Sequence, residues 1–165
     1  MIEYLRLAFG AIVVLAPGAA VAWALGQRSA AALLAWTTAS VFVAWAAVFT
    51  VHSNIRLAVV VLAVIFVAAV VARAVRPRRS VDAPPGGSPW PWLVGVVLGW
   101  FLWRVAGPVV GDGLFHEARV RKLVALGDLH LRTVDEFKDG GLHPGYAFPL
   151  WHGFIALMAW VTKSA

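Results

Sequence analysis

The sequence predicts an all-α fold: a polytopic integral membrane helical bundle with about five spans and one long external loop. The first observation behind this prediction is composition, because hydrophobic residues make up 61% of the 165 residues and charged residues only 13%. The mean hydropathy is +0.81. A soluble domain carries about 45–50% apolar and about 25% charged residues, and a chain this short cannot bury the excess in its own core. The lipid bilayer is therefore the expected surrounding.

The second observation is that residues 7–27, 29–55 and 57–72 contain no Asp, Glu, Lys or Arg. A helix needs about 20 mainly apolar residues to cross the hydrocarbon core, so residues 1–75 are predicted to form three transmembrane helices. A fourth is predicted over residues 90–110, where tryptophans toward the ends are typical of interfacial anchors. A fifth is predicted over residues 147–162.

The third observation is the distribution of arginine, which predicts the topology. The segment 76–89 is an Arg/Pro/Gly linker, and it follows or contains the arginines at positions 73, 76, 78 and 79. By the positive-inside rule this linker is cytoplasmic. Alternation then places the N-terminus and the loop 111–146 outside the plasma membrane. A signal peptide cleaved after Ala24 would invert every later loop and place the arginine cluster outside, which the same rule disfavours.

Charge and cysteine content exclude other classes of protein. The chain has no cysteine, which excludes disulfides, thiolate metal sites and a cysteine nucleophile. The net charge of +6 could indicate nucleic acid in a soluble protein, but in a membrane protein arginines more often mark the cytoplasmic face. No nucleic-acid partner is predicted.

The loop 111–146 is the segment most suited to chemistry, because it concentrates acidic, basic and histidine residues at the membrane edge. A short amphipathic helix is predicted over residues 112–126. Helical spacing places Asp112, His116, Arg119 and Leu123 along one stripe. A carboxylate, an imidazole and a guanidinium would then face the same way, as an acid–base group beside an anion clamp. Alternatively Asp112 is a helix N-cap, and both roles can hold together.

Metal and phosphate motifs are missing from the sequence. No pair among His116, His130, His143 and His152 has a recognised metal-ligand spacing. A divalent metal is therefore not supported by ligand spacing, and no cofactor is predicted. No phosphate-binding glycine loop or Gly-x-Ser-x-Gly elbow occurs either.

Two short motifs suggest a family. The run Gly-Asp112-Gly-Leu-Phe-His116-Glu-Ala-Arg119 and the later run Gly-Tyr146-Ala-Phe-Pro-Leu-Trp at the start of a span resemble the first large external loop of GT-C type membrane glycosyltransferases, especially actinobacterial members. The run Ala-Pro17-Gly18…Leu-Gly26 is similar to the opening spans of such proteins. We expect the chain to be the N-terminal portion of such an enzyme, inactive alone.

The resemblance implies an activity and a set of roles. Such enzymes move a sugar from a polyprenyl-phosphate carrier to an external acceptor, using an acidic residue at the outer membrane edge. Asp112 corresponds to that catalytic acid, His116, Arg119 and Arg121 to supporting or phosphate-binding groups, and His143 and Tyr146 to acceptor or loop contacts. The alternative function is a non-catalytic small membrane protein whose loop is structural or binds a partner. A transporter fragment ranks lower, since the first three spans carry no charge near their centres.

Overall fold

The computed structural model describes residues 2–75, 88–105, 111–126 and 150–163, and within these residues every regular element is a helix. The predicted all-α class is confirmed for this part of the chain. In chain order the helices are α1 (Ile2–Ala24), α2 (Ala30–Thr50), α3 (Ile55–Val75), α4 (Trp90–Val105), α5 (Asp112–Leu126) and α6 (Leu150–Thr162).

Helices α1, α2 and α3 form the main bundle, and each packs against the other two. Each is long and apolar enough to cross a membrane, over Tyr4–Ala24, Ala30–Thr50 and Ile55–Val75. The connections are short, at residues 25–29 and 51–54, so successive helices run antiparallel. The start of α1 therefore lies at the same end of the bundle as the α2–α3 turn. These three helices indicate a membrane protein, and the assignment of residues 1–75 to three transmembrane spans stays a prediction.

The approach of α1 to α2 depends on a glycine. A Cβ placed on Gly18 would fall 2.5 Å from the Thr37 Cα and 2.6 Å from its Oγ1, far inside ordinary contact. Small residues at such crossings let helix backbones come close, which is the main source of packing energy between helices in lipid. Gly18 thus sets the distance between the first two helices.

Local interactions fix the two turns of the bundle. The Ser29 side chain caps α2 by accepting a hydrogen bond from the Ala32 N–H at 3.1 Å, as serine does before a first helical turn. At the other turn, the Asn54 side chain accepts from the Arg56 N–H at 3.0 Å. These side chains satisfy backbone donors that a helix start leaves without intrahelical partners.

Helix α4 stands apart from the bundle. Its described side chains are all exposed, and among the described residues it makes no extensive packing contact with another helix. At 16 residues it is about 24 Å long, and α6, with 13 residues, is about 20 Å long. Both are shorter than the roughly 30 Å hydrocarbon core. The fourth and fifth spans, at 90–110 and 147–162, therefore stay predictions.

Helices α5 and α6 pack together and dock onto the bundle. Helix α6 packs against α1 and α2, and α5 packs against α6. Leu123 of α5 and Leu157 of α6 are fully buried in one cluster with Val14 and Trp45 of the bundle. The helix predicted over 112–126 is confirmed with the same bounds. The packing anchors α5 near the end of the bundle that holds the start of α1.

Candidate functional site

The candidate site is built on the first turns of α5 and α6. Gly111 precedes α5 with a φ of +58°, a left-handed conformation that glycine adopts without steric cost, and its carbonyl accepts from the Leu114 N–H at 3.1 Å. Gly111 therefore occupies the cap position, and Asp112 is the first helical residue. An acidic residue there is still favoured by the helix dipole. The Asp112 side chain lies outside the described part of the structure, so its catalytic role stays a prediction.

A histidine pair joins α5 to α6. The Nδ1 atom of His116 lies 2.8 Å from the Nε2 atom of His152, within hydrogen-bond distance. The ring centroids are 5.1 Å apart and the planes are inclined by 23°, so the two rings meet edge to edge in nearly one plane. His152 is buried, with 6% of its surface exposed. Thirty-six residues separate the two histidines, so the contact exists only because α6 packs beside α5.

Arg119 completes what we call the histidine–arginine cluster, formed by His116, His152 and Arg119. Its side chain is 2% exposed, and it lies close enough to His152 for the two groups to interact electrostatically. Such burial is uncommon for arginine, because removing a charge from water costs free energy that only partners or hydrogen bonds recover. Arg119 brings a fixed positive charge beside the two imidazoles, so an anion next to the cluster would be stabilised.

Arg121 belongs to a different face of α5. It forms an ion pair with Glu117 at 2.6 Å, and its side chain is 67% exposed. Arg121 is nine residues after Asp112. At about 100° of rotation per residue, it lies about half a turn around the helix axis from Asp112. The two arginines that the sequence grouped together are thus separated, with Arg119 turned inward and Arg121 outward. An exposed pair spaced i, i+4 stabilises a helix by only about 0.3–0.5 kcal/mol.

An apolar cleft of about 340 Å³ opens beside the Glu117–Arg121 pair, between α1, α5 and α6. Its remaining lining is aliphatic or thioether, from Leu7, Val120, Val124, Ile155, Met158 and Ala159. The cleft combines a hydrocarbon-like wall with one charged edge. Such a surface suits the chain of an amphipathic molecule better than a polar solute.

The structure brings some of the predicted residues together and leaves others aside. His116, Arg119 and Leu123 share the side of α5 that faces α6 and the bundle, as the stripe predicted. His143 and Tyr146 lie outside the described residues. Within the described ranges, no group of three or more His, Asp or Glu residues is placed to hold a metal ion.

Sequence reasoning missed His152 as a member of the site. The spacing of His152 from the other histidines matches no metal-ligand pattern. One signal was available: His152 is a titratable residue inside an otherwise apolar run, and an ionisable residue in such a segment is a functional candidate by default. Its partner could not be named, because the packing of α6 decides it.

No protein-family model matches this chain, and neither a curated protein nor a solved structure shows significant similarity to it.

Proposed function

We propose that this chain is part of a membrane enzyme that moves a sugar from a polyprenyl-phosphate donor to an external acceptor, in the manner of GT-C glycosyltransferases. The observation that carries the proposal is the histidine–arginine cluster, which gathers acid–base and cationic groups on the face of α5 that begins at Asp112. Buried titratable clusters of this kind are costly and are found mainly at functional sites.

In the proposed reaction, Asp112 takes the hydroxyl proton of the acceptor as its oxygen bonds to the anomeric carbon of the sugar. The bond from that carbon to the phosphate oxygen breaks, and the lipid phosphate leaves with the electron pair. Arg119 lies on the same helix face as Asp112, seven residues on, which is a rise of about 10 Å. We assign it the stabilisation of the departing phosphate. Arg121 lies on the opposite side of α5 in its ion pair with Glu117, so we assign it no contact with this phosphate.

The proposal includes a topology in the plasma membrane. We place the N-terminus and residues 111–146 outside, and residues 76–89 in the cytoplasm. The structure supports this arrangement in one respect: α5 and α6 dock onto the half of the bundle that holds Gly10 and the buried Trp45. That half contains the start of α1 and the α2–α3 turn, which the proposed topology places on the external side.

The test is Asp112→Asn in the full-length protein, assayed as sugar transfer from a polyprenyl-phosphate donor in membranes with expression checked. Loss of the proton acceptor should lower the rate by about 10²–10⁴-fold. Glu117→Gln is the matched control, because it neutralises an acid on the same helix but in the ion pair with Arg121, and it should keep most of the activity. Near wild-type transfer by Asp112→Asn would contradict the assignment.

A second candidate is a non-catalytic membrane protein in which α5 is a structural cap or binds a partner. The burial of Arg119 and Leu123 between helices favours it, since buried side chains contribute to packing whatever else they do. In that case Asp112 acts only through the helix dipole at the first helical position, where its charge contributes about 0.3–1 kcal/mol. Sugar transfer by the unsubstituted full-length protein that is lost in Asp112→Asn therefore supports the first candidate, and no transfer by either protein supports the second.

A further inference from the structure

We infer that His152 is the positioning residue of the candidate site: it holds the His116 imidazole so that the two rings work as one acid–base unit. The inference rests on the proposed function for the reaction served, but the coupling of the two rings is a property of the chain itself.

The first step is the hydrogen bond. The His116 Nδ1 and His152 Nε2 atoms are 2.8 Å apart, so a proton lies between them. Either nitrogen can donate, but only one can do so at a time, because a neutral imidazole carries one N–H and one lone pair. Two protonated rings would point two N–H groups at each other. The pair therefore holds at most one positive charge while the contact exists.

The second step concerns the ring nitrogens outside the hydrogen bond, His116 Nε2 and His152 Nδ1. When His116 Nδ1 donates, neutral His116 has its lone pair on Nε2 and His152 carries its N–H on Nδ1. When His152 donates, both assignments are reversed. One outer nitrogen is thus a base and the other an acid. A proton accepted at one releases a proton at the other, with the shared proton crossing between the rings.

The third step is the fixed geometry. His152 is buried at the start of α6, meets the His116 ring edge to edge, and precedes Gly153, which lies against the Trp45 indole. The ring that holds His116 is therefore itself held by the bundle. Helical spacing places His116 one turn after Asp112, so the proposed base has an acid–base partner that can take over its proton.

A divalent metal between the two histidines is the competing interpretation, and the local charge opposes it. Arg119 is buried beside the pair and interacts with His152. A second cation in a low-dielectric setting would be repelled by the guanidinium. The same repulsion favours a histidine pair without net charge, in which two neutral imidazoles share one hydrogen bond.

The test is nitrogen NMR of the full chain, labelled with ¹⁵N-histidine, in lipid nanodiscs. We expect a scalar coupling between His116 Nδ1 and His152 Nε2 across the hydrogen bond in the unsubstituted protein. We also expect His152→Phe, which keeps an aromatic ring but removes both ring nitrogens, to return His116 to a mixture of tautomers. His52→Asn is the matched control, since His52 is exposed at the α2–α3 turn with a φ of +50° that asparagine tolerates, and it should leave the coupling intact.

The outcomes separate the inference from the proposed function. In the transfer assay, His152→Phe should lower kcat by about 10- to 100-fold, as loss of a residue that orients a functional histidine does, with little change in KM. No coupling in the unsubstituted protein overturns the inference, whether or not sugar is transferred, and so does a His116 tautomer unchanged by His152→Phe. The coupling without any transfer activity supports the pairing and overturns the glycosyltransferase proposal. Because the coupling is measured without substitution, the result holds even if His152→Phe fails to fold.

Discussion

Replacing Gly153 by alanine should loosen α6 from the bundle. A Cβ at this position would lie 2.7 Å from Cε2 and 2.9 Å from Cδ1 of Trp45, whereas ordinary contact begins near 3.4 Å. The indole has little room to yield, because Trp45 is 1% exposed. Helix α6 or the ring must therefore move by well over half an ångström.

The net cost follows from two opposing terms. Overpacking of this kind costs about 1–3 kcal/mol, and replacing glycine by alanine within a helix returns up to about 1 kcal/mol. A net loss of about 1 kcal/mol raises the population of the detached state about five-fold, since 1.4 kcal/mol corresponds to a factor of ten. The histidine pair should weaken with it, because His152 is the preceding residue.

The assay uses the natural absence of cysteine. A single cysteine at Ala156, which is fully buried, reports detachment of α6 through its rate of reaction with a thiol reagent. Gly153→Ala should raise that rate about five-fold. Gly95→Ala is the matched control on α4, where a Cβ would meet nothing within 4 Å, and it should leave the rate unchanged. A wild-type rate with Gly153→Ala would refute the argument from close packing.

Two further predictions test the helix ends and the topology. Ser29→Ala should lower stability by about 1 kcal/mol, because it removes the acceptor of the Ala32 N–H; the thermal midpoint in detergent micelles measures it, and an unchanged midpoint argues that the cap contributes nothing. Single cysteines at Ser80 and Asp128 should differ toward an impermeant thiol reagent in intact cells, with only the Asp128 position labelled; labelling at Ser80 alone would invert the proposed topology.

The helices could be predicted from the sequence, because the residues that define each helix lie close together along the chain. Long runs without charge define α1 to α3, and the small differences at the ends arise where Glu3 and Arg6 continue the first helix beyond the charge-free run. Helix α5 was predictable from Asp112 onward, since its glycine-flanked start and stripe are contained in fifteen residues.

The site was predictable only in part, because its decisive contact is not local. His116 was chosen for its place on the stripe, but His152 joins it only through the docking of α6 on α1 and α2. That docking depends on close approaches between helices at Gly10 and Gly153. The periodicity of the sequence does not predict these two contacts. The same packing separates Arg119 from Arg121, two residues that look equivalent in the sequence.

The docking of α6 on α1 has a consequence for biogenesis. Helix α1 leaves the ribosome long before α6, and the first three helices can close into a bundle while α6 is still unsynthesised. During that interval the surface around Gly10, where Thr162 and Met158 later pack, faces lipid or the insertion machinery. The contact between His116 and His152 can therefore form only after α6 has been synthesised and has docked on the bundle, and every nascent chain that stops before α6 lacks it.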